Sequence, residues 1–247
     1  MTLYSRRLVA SIDVENCTAV KLVRGRSGTG LVLGDPRRVA ERLHSLGATW
    51  IHVVDLDGAR RGKPSGCVKS LVAWLTRELG IRVQLGGGLR SIEVLEEAYS
   101  VGAERLVVAS AWLRRPGFLA EAAEKLPGVV LAALEETLDA LPAVHGWREK
   151  ALRPVAELAS AAASVRGLAG VFYTQVFHEG EARGVDLLRS ARLAKAVREE
   201  SPGMELVYSG GVAGVPDLDA LTAQGYDRIV AGMALHAWLL NPLGLLA

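Results

Sequence analysis

The chain alternates short apolar runs with longer segments in which apolar residues recur every three to four positions. Runs that are apolar throughout are typical of strands buried on both faces of a parallel sheet, and the longer pattern is typical of amphipathic helices. The runs predict strands at 8–14, 50–55, 82–85, 105–109, 129–134, 170–175, 205–208 and 227–231. The helical pattern predicts helices at 36–47, 66–79, 92–101, 116–125, 154–166, 186–200, 217–224 and 235–246. A further short run at 18–23 predicts a hairpin inside the first loop.

The two halves of the chain repeat each other. Residues 83–112 align with residues 206–235 at a constant offset of 123 positions, which brings Gly87-Gly88 onto Gly210-Gly211. A weaker match, at an offset near 119, joins the helix–strand segments that precede them. Two halves of four strand–helix units predict an α/β fold, the (β/α)8 TIM barrel, with a two-fold half-barrel repeat. An open doubly wound sheet is the alternative, and the repeat of four units counts against it.

Composition is consistent with a barrel and argues against several classes of function. At 247 residues, half of them hydrophobic, the chain matches the roughly 250 residues of such a barrel, and we expect a single domain over 1–247. The 29 basic and 27 acidic side chains are scattered, which argues against nucleic-acid and membrane-surface partners. No apolar run approaches the roughly 18 residues of a membrane span. We therefore expect a cytoplasmic protein.

Two cysteines, Cys17 and Cys67, lack CxxC spacing and are too few for a scaffold of several bridges. In a cytosolic protein we expect both thiols to be reduced. A single bridge is the alternative, because intracellular proteins of hyperthermophiles do carry disulfides.

Glycine-rich turns follow the third and seventh predicted strands, at the barrel end that carries active sites in this fold. Glycine lets backbone N–H groups approach an anion with no Cβ in the way, although a tight turn needing positive φ is the alternative explanation for either pair. Each copy is followed one strand later by a small-residue turn, so we predict two phosphate sites and an elongated bisphosphate ligand. The predicted substrate- and phosphate-binding residues are Gly87, Gly88, Arg90, Ser110, Gly180, Ser209, Gly210, Gly211 and Gly232.

Among the polar residues at strand ends, Asp13 interrupts the first apolar strand where it faces the barrel mouth. A carboxylate there is costly unless it is solvated or paired, which favours a functional role. Asp55, at the end of the second strand, has two open explanations: a functional group, or an acceptor for loop N–H groups. His44 and His52 are predicted to be structural, with satisfied hydrogen bonds. The histidines form no close-spaced ligand set, so we expect no metal site, and the chain has no G-x-G-x-x-G motif.

Four segments resemble one known family over nearly the whole chain: ASIDVENCTAVKLVRG, HVVDLDGA, QLGGGLRS and SGGV…IVAGMAL. They are similar to the HisA family, the phosphoribosylformimino-aminoimidazole carboxamide ribotide isomerases of histidine biosynthesis. The resemblance implies a cofactor-free Amadori rearrangement of an aminoaldose that carries a phosphate at each end. It also implies that Asp13 is the general base. The family motif T-D-x-x-R-D-G maps onto Thr174–Gly180, which places the general acid at Glu179 and Thr174 beside it in the catalytic group.

The chain departs from the family pattern at several positions. The motif's first Asp and its Arg are Gln175 and His178, and the family's Asp after the fifth strand falls on Leu134 or on Glu136, depending on the alignment. Further substitutions are Asn16-Cys17 for Asp-Gly, Lys21 for Arg and Met233 for Arg.

Four functions stay open on this basis. They are a divergent isomerase, a dual-substrate isomerase that also acts on phosphoribosylanthranilate, a non-catalytic or repurposed sugar-phosphate-binding barrel, and a cyclase-like subunit that docks a glutaminase. The discriminating feature is whether Asp13 and Glu179 both point into the mouth. A small-molecule substrate is expected in each case, and whether a protein partner exists is open.

Overall fold

The computed structural model describes residues 7–22, 28–144, 149–150, 153–179 and 184–240, with only the backbone described at 143–144, 149–150 and 237–240. Eight parallel strands pair in chain order, and the last pairs with the first, so the sheet closes into a barrel. The predicted (β/α)8 barrel is therefore confirmed. The barrel strands are β1 (Leu8–Glu15), β4 (Trp50–Asp55), β5 (Arg82–Gly86), β6 (Arg105–Val108), β7 (Val130–Glu136), β10 (Gly170–Gln175), β11 (Glu205–Ser209) and β12 (Arg228–Ala231).

Helices cover the outside of the barrel and bury their apolar faces against the strands. Side-chain caps begin several of them: Asp35, Ser65, Ser91 and Asp186 each accept a hydrogen bond from a backbone N–H of the first turn. None of the described helices is long and apolar enough to cross a membrane. The helices are α1 (Pro36–Ser45), α2 (Leu56–Arg61), α3 (Gly66–Glu78), α4 (Ile92–Ser100), α5 (Ser110–Arg114), α6 (Phe118–Lys125), α7 (Val155–Ala163), α8 (Leu187–Glu200), α9 (Val215–Ala223) and α10 (Met233–Leu240).

The first loop folds back on the barrel as the predicted hairpin. β2 (Thr18–Lys21) runs antiparallel to β1, and β3 (Leu31–Gly34) runs antiparallel to β2. Asp13 pairs with Val20 in this ladder, which leaves Lys21 one residue beyond the pair. A small separate hairpin is formed by β8 (Ala143–Val144) and β9 (Glu149–Lys150). The first hairpin carries the side chain of Lys21 to the barrel mouth.

The inside of the barrel is a packed core, closed at the amino ends of the strands. Trp50 contacts the guanidinium groups of Arg82 and Arg228, whose carbons are 4.2 and 3.8 Å from its ring centres. Both arginines are in turn paired with acidic side chains. Open space therefore lies at the carboxyl ends of the strands. Above the tryptophan, the apolar interior consists of Val9, Val107, Leu131, Ala133, Phe172, Val207 and Val230.

Cys17 and Cys67 are joined by a disulfide bond, so the expectation of two reduced thiols is wrong. Cys17 lies in the turn between β1 and β2 with φ of 59°, and Cys67 is in the first turn of α3. Their Cα atoms are 5.8 Å apart, within the range that a disulfide spans. The pairing depends on the hairpin folding back towards α3, which no local spacing of the cysteines reveals.

Candidate active site

A pocket of about 1020 Å³, partly open to solvent, lies at the carboxyl ends of the barrel strands. This is the end of the fold that carries active sites. Most of the residues predicted from the sequence line it: Asp13, Gly87, Thr174, Glu179, Ser209, Gly210, Gly211 and Gly232. Gly88, Arg90 and Ser110 are absent from the lining, and Gly180 lies outside the described residues.

One lysine holds the two predicted catalytic carboxylates together. The Nζ atom of Lys21 is 2.9 Å from Oδ2 of Asp13 and 2.8 Å from Oε1 of Glu179. All three side chains are at least 85% buried. Burial opposes the charge on Lys21, but the two carboxylates outweigh it and hold the pKa of the lysine above its ordinary value. Lys21 is therefore a buried cation that bridges an acid of β1 and an acid that follows β10.

Gly232 leaves the space through which Lys21 reaches these carboxylates. A Cβ atom built at position 232 would lie 2.9 Å from Cε and 3.2 Å from Nζ of Lys21, and 2.5 Å from Oγ of Ser11. The distances to Cε and to Oγ are shorter than real Cβ contacts, so a side chain here would force Lys21 and Ser11 to shift. Packing alone thus requires a glycine at this position, which was predicted to bind phosphate.

The two glycine pairs adopt equivalent conformations in the two halves of the barrel. Gly87 and Gly88 have φ of 97° and 80°, and Gly210 and Gly211 have φ of 99° and 75°, all in the region that favours glycine. The first glycine of each pair packs against the last residue of the preceding barrel strand. A Cβ at Gly87 would lie 2.2 Å from the carbonyl oxygen of Asp55, and one at Gly210 would lie 2.5 Å from that of Gln175. Both glycine pairs are therefore tight turns that need positive φ, and in both the first glycine lies so close to a neighbouring backbone that a side chain would not fit.

Asp55 and Gln175 occupy equivalent strand ends and both anchor a loop. Oδ1 and Oδ2 of Asp55 accept hydrogen bonds from the backbone N–H groups of Gly58 and Ser65 at 2.7 and 2.6 Å. This settles the open question at position 55 in favour of the structural explanation. The amide of Gln175 donates to the carbonyl oxygen of Asp186 and accepts from its N–H group, both at 2.9 Å. The substitution of the family's Asp by Gln175 therefore lies in a buried structural network.

At the end of β7, Glu135 faces the pocket, whereas the two residues proposed to align with the family aspartate do not. Leu134 is fully buried in the core between barrel and helices. Glu136 accepts a hydrogen bond from the hydroxyl of Tyr173 and lies 3.6 Å from Arg189. Strand alternation explains the difference, because every second side chain of a barrel strand points inward.

A row of polar side chains on three adjacent strands was not identified as part of the site. Ser11, His52 and Gln84 are paired in register across β1, β4 and β5. Each is buried and has at least one side-chain polar atom with no hydrogen-bond partner. Ser11 and His52 line the pocket, so the prediction that His52 is a satisfied structural residue is wrong. Burial, helped by the charge of Lys21, lowers the pKa of His52 to about 3, so its ring is neutral near pH 7.

Three predicted residues lie near the first glycine pair but outside the pocket lining. Arg90 donates a hydrogen bond to the carbonyl oxygen of Ala59 in α2. Gly88 packs behind Gly87, where a Cβ atom would lie 2.6 Å from the carbonyl oxygen of Gly58. Ser110 is the first residue of α5 and follows Ala109, which does line the pocket. Within the described ranges, no three His, Cys, Asp or Glu side chains come together as ligands for a metal ion.

Comparison with known proteins supports the resemblance to the HisA family. A family model described as "Histidine biosynthesis protein" matches residues 7–241. A protein of Desulfitobacterium hafniense (strain DSM 10664 / DCB-2) is 32% identical over 94% of this chain and 91% of its own length. A protein of Methanothermobacter thermautotrophicus is 32% identical over 95% of both chains. Both are named 1-(5-phosphoribosyl)-5-((5-phosphoribosylamino)methylideneamino) imidazole-4-carboxamide isomerase. The chain therefore belongs to the histidine biosynthesis protein family, as a divergent member of the HisA isomerases.

Proposed function

We propose that this protein catalyses the Amadori rearrangement of histidine biosynthesis, converting a phosphoribosyl aminoaldose into the aminoketose without a cofactor. The observation that carries the proposal is that Asp13 and Glu179 line one pocket and contact the same ammonium group. The two groups needed for proton transfer are thus within reach of one sugar. Burying two carboxylates around one ammonium group is costly, and such clusters are concentrated at catalytic sites, which favours catalysis over a purely binding role.

A bisphosphate substrate is supported by the two glycine turns. Gly87 and Gly210-Gly211 line the pocket from strand ends separated by half of the barrel. Backbone N–H groups at such turns bind phosphate without a side chain in between. The names of the relatives contain two phosphoribosyl groups, which agrees with one phosphate at each turn. We assign the first phosphate to the turn at Gly87 and the second to Gly210, Gly211 and Gly232, the glycines of these turns that line the pocket.

The assigned chemistry begins at the ring oxygen of the aminoaldose. Glu179 donates a proton to this oxygen, the bond between it and C1 breaks, and the nitrogen lone pair forms a Schiff base at C1. Asp13 then removes the proton from C2, which gives an enol. Protonation at C1 and loss of the enol proton complete the ketone, so the reaction neither consumes nor releases a proton overall.

Thr174 is assigned to orient the reacting sugar. It is 6% exposed, lines the pocket, and pairs in register with Ser209 at the end of the neighbouring strand. A hydroxyl at this place can donate to or accept from a ribose oxygen. Fixing the sugar relative to Asp13 and Glu179 is worth a large share of the rate, since small misplacements cost about a hundredfold.

A crystal structure with the aminoketose product tests the binding part of the proposal. We expect its two phosphates at the two glycine turns, with the former ribose carbons C1 and C2 near Asp13. A single occupied phosphate site, or a ligand outside the barrel mouth, contradicts the bisphosphate assignment. Turnover of the aminoaldose by the purified protein tests the catalytic part.

A further inference from the structure

Asp13 and Lys21 are held by the same rigid element, whereas Glu179 reaches them from elsewhere. Asp13 and Lys21 stand on the paired strands β1 and β2, and their contact spans 8 residues. Glu179 follows a short 3-10 turn after β10, and its contact with Lys21 spans 158 residues. If one of the two ion pairs opens, the geometry makes it the pair with Glu179.

The described part of the pocket holds little positive charge for a ligand with phosphates. Among the described lining residues Lys21 is the one lysine or arginine, while Asp13, Glu135 and Glu179 are acidic. Two buried histidines, His52 and His236, add no charge near neutral pH, because burial lowers the pKa of both. A dianion that enters the mouth therefore competes with two carboxylates for the same ammonium.

Lys21 already lies beside the second phosphate turn. Its Nζ atom is 3.2 Å from the point where a Cβ of Gly232 would stand. An anion held by the backbone of this turn is close enough to attract the ammonium without rearrangement of the hairpin. Met233, the next residue, also lines the pocket and offers no charge.

We propose that Lys21 is a positioning residue that determines which of the two carboxylates carries a proton. When an anion binds at the Gly232 turn, Lys21 keeps its pair with Asp13 and releases Glu179, which takes up one proton. The inference rests on the proposed function, because it explains how two carboxylates in one ion-paired cluster become one base and one acid. An ion pair is made by an ionised carboxylate, whereas a general acid must carry a proton. Binding of the anion causes this change in protonation. A proton from solvent binds to Oε1 of Glu179, and Asp13 stays ionised beside the ammonium.

The test uses inorganic sulfate, which keeps both of its charges at neutral and mildly acidic pH. We expect wild-type protein to take up between about half a proton and one proton per sulfate bound at pH 6. Its affinity for sulfate should fall by up to about tenfold for each unit by which the pH rises. Proton uptake is read from an indicator dye in unbuffered solution, and binding from equilibrium dialysis. Sulfate that binds without uptake, or fails to bind, overturns the proposal.

Variants identify the group that takes the proton. Glu179→Gln keeps the shape of the side chain, and we expect it to bind sulfate with no uptake. His178 lies beside Gly211, so uptake that persists in Glu179→Gln assigns the proton to another group such as this imidazole and overturns the proposal. Lys21→Arg should keep the uptake and Lys21→Met should lose it.

Lys69→Met is the matched control, because Lys69 pairs with Glu97 at 2.6 Å on the outside of the barrel. We expect it to take up protons as wild type does. The experiment needs no sugar substrate, so it separates this inference from the proposed function. Normal proton uptake in a protein that fails to isomerise the aminoaldose contradicts the function alone.

Discussion

Lys21 lies against Gly232, whose lack of a side chain leaves room for the ammonium group between Asp13 and Glu179. We predict that Gly232→Ala displaces Lys21 and lowers kcat by about a hundredfold, because a small displacement of catalytic groups has that cost. Steady-state kinetics on the folded variant measures the change. Gly203→Ala is the control, since Gly203 has open space around its Cα and lies in a turn away from the pocket. Equal activity in both variants contradicts the packing argument.

Gln175 should affect stability more than chemistry. Its side chain contacts the backbone of Asp186 and accepts a hydrogen bond from the hydroxyl of Tyr208 at 2.8 Å. Gln175→Leu leaves these buried groups unpaired, so we expect the free energy of unfolding to fall by roughly 2–4 kcal/mol. Tyr208→Phe removes a single contact and should cost about 1 kcal/mol. Denaturant unfolding measures both changes in stability. A Gln175→Leu protein that is as stable as wild type but has no turnover would place Gln175 in the reaction instead.

The Cys17–Cys67 bond closes a loop across 50 residues of sequence. Such a loop reduces the entropy of the unfolded chain, and we expect the double variant Cys17→Ser, Cys67→Ser to lose up to about 4 kcal/mol of stability. Wild-type protein unfolded in a reducing agent should show the same loss. The double variant serves as its own control, because reductant should leave it unchanged. Identical stability of oxidised and reduced wild type contradicts the prediction.

His52 should make the protein sensitive to acid. Its pKa is lowered to about 3 in the folded state against an ordinary 6.5, so the unfolded chain binds more protons below about pH 6.5. Stability due to the neutral ring is fully present above that pH and is lost as the pH falls towards 3. Between pH 7 and pH 5 the expected loss is about 2 kcal/mol. Urea unfolding at both pH values should show a smaller loss in His52→Leu, and an unchanged loss would rule out His52 as its source.

The barrel was predictable because its signal is local and repeated. Each barrel strand was predicted from one apolar run, and β1 begins and ends within one residue of the predicted 8–14. Short elements such as α2 and α5 were missed, since five or six residues are too few to establish a helical period. The hairpin was predicted for its second strand, and β3 was not.

The arrangement of the site was harder to predict from the sequence than the fold. The contact of Lys21 with Glu179 exists only once the barrel has closed and the hairpin has folded back. Glu135 and His52 could have been placed by counting alternate residues inward along each strand, because His52 stands in register with Ser11, two residues before Asp13. The disulfide depends on a long-range approach and leaves no spacing signal.

The most direct test of the isomerase assignment measures turnover and binding in the same preparation. We predict that wild type converts the histidine-pathway aminoaldose to the aminoketose, and that Asp13→Asn abolishes turnover. Calorimetry should show Asp13→Asn binding the product within about tenfold of wild type, because the carboxylate moves a proton and does not hold phosphate. A comparable loss of binding would make Asp13 a positioning residue instead. Wild-type protein that is folded, binds the aminoaldose and yet forms no aminoketose would contradict the isomerase assignment itself.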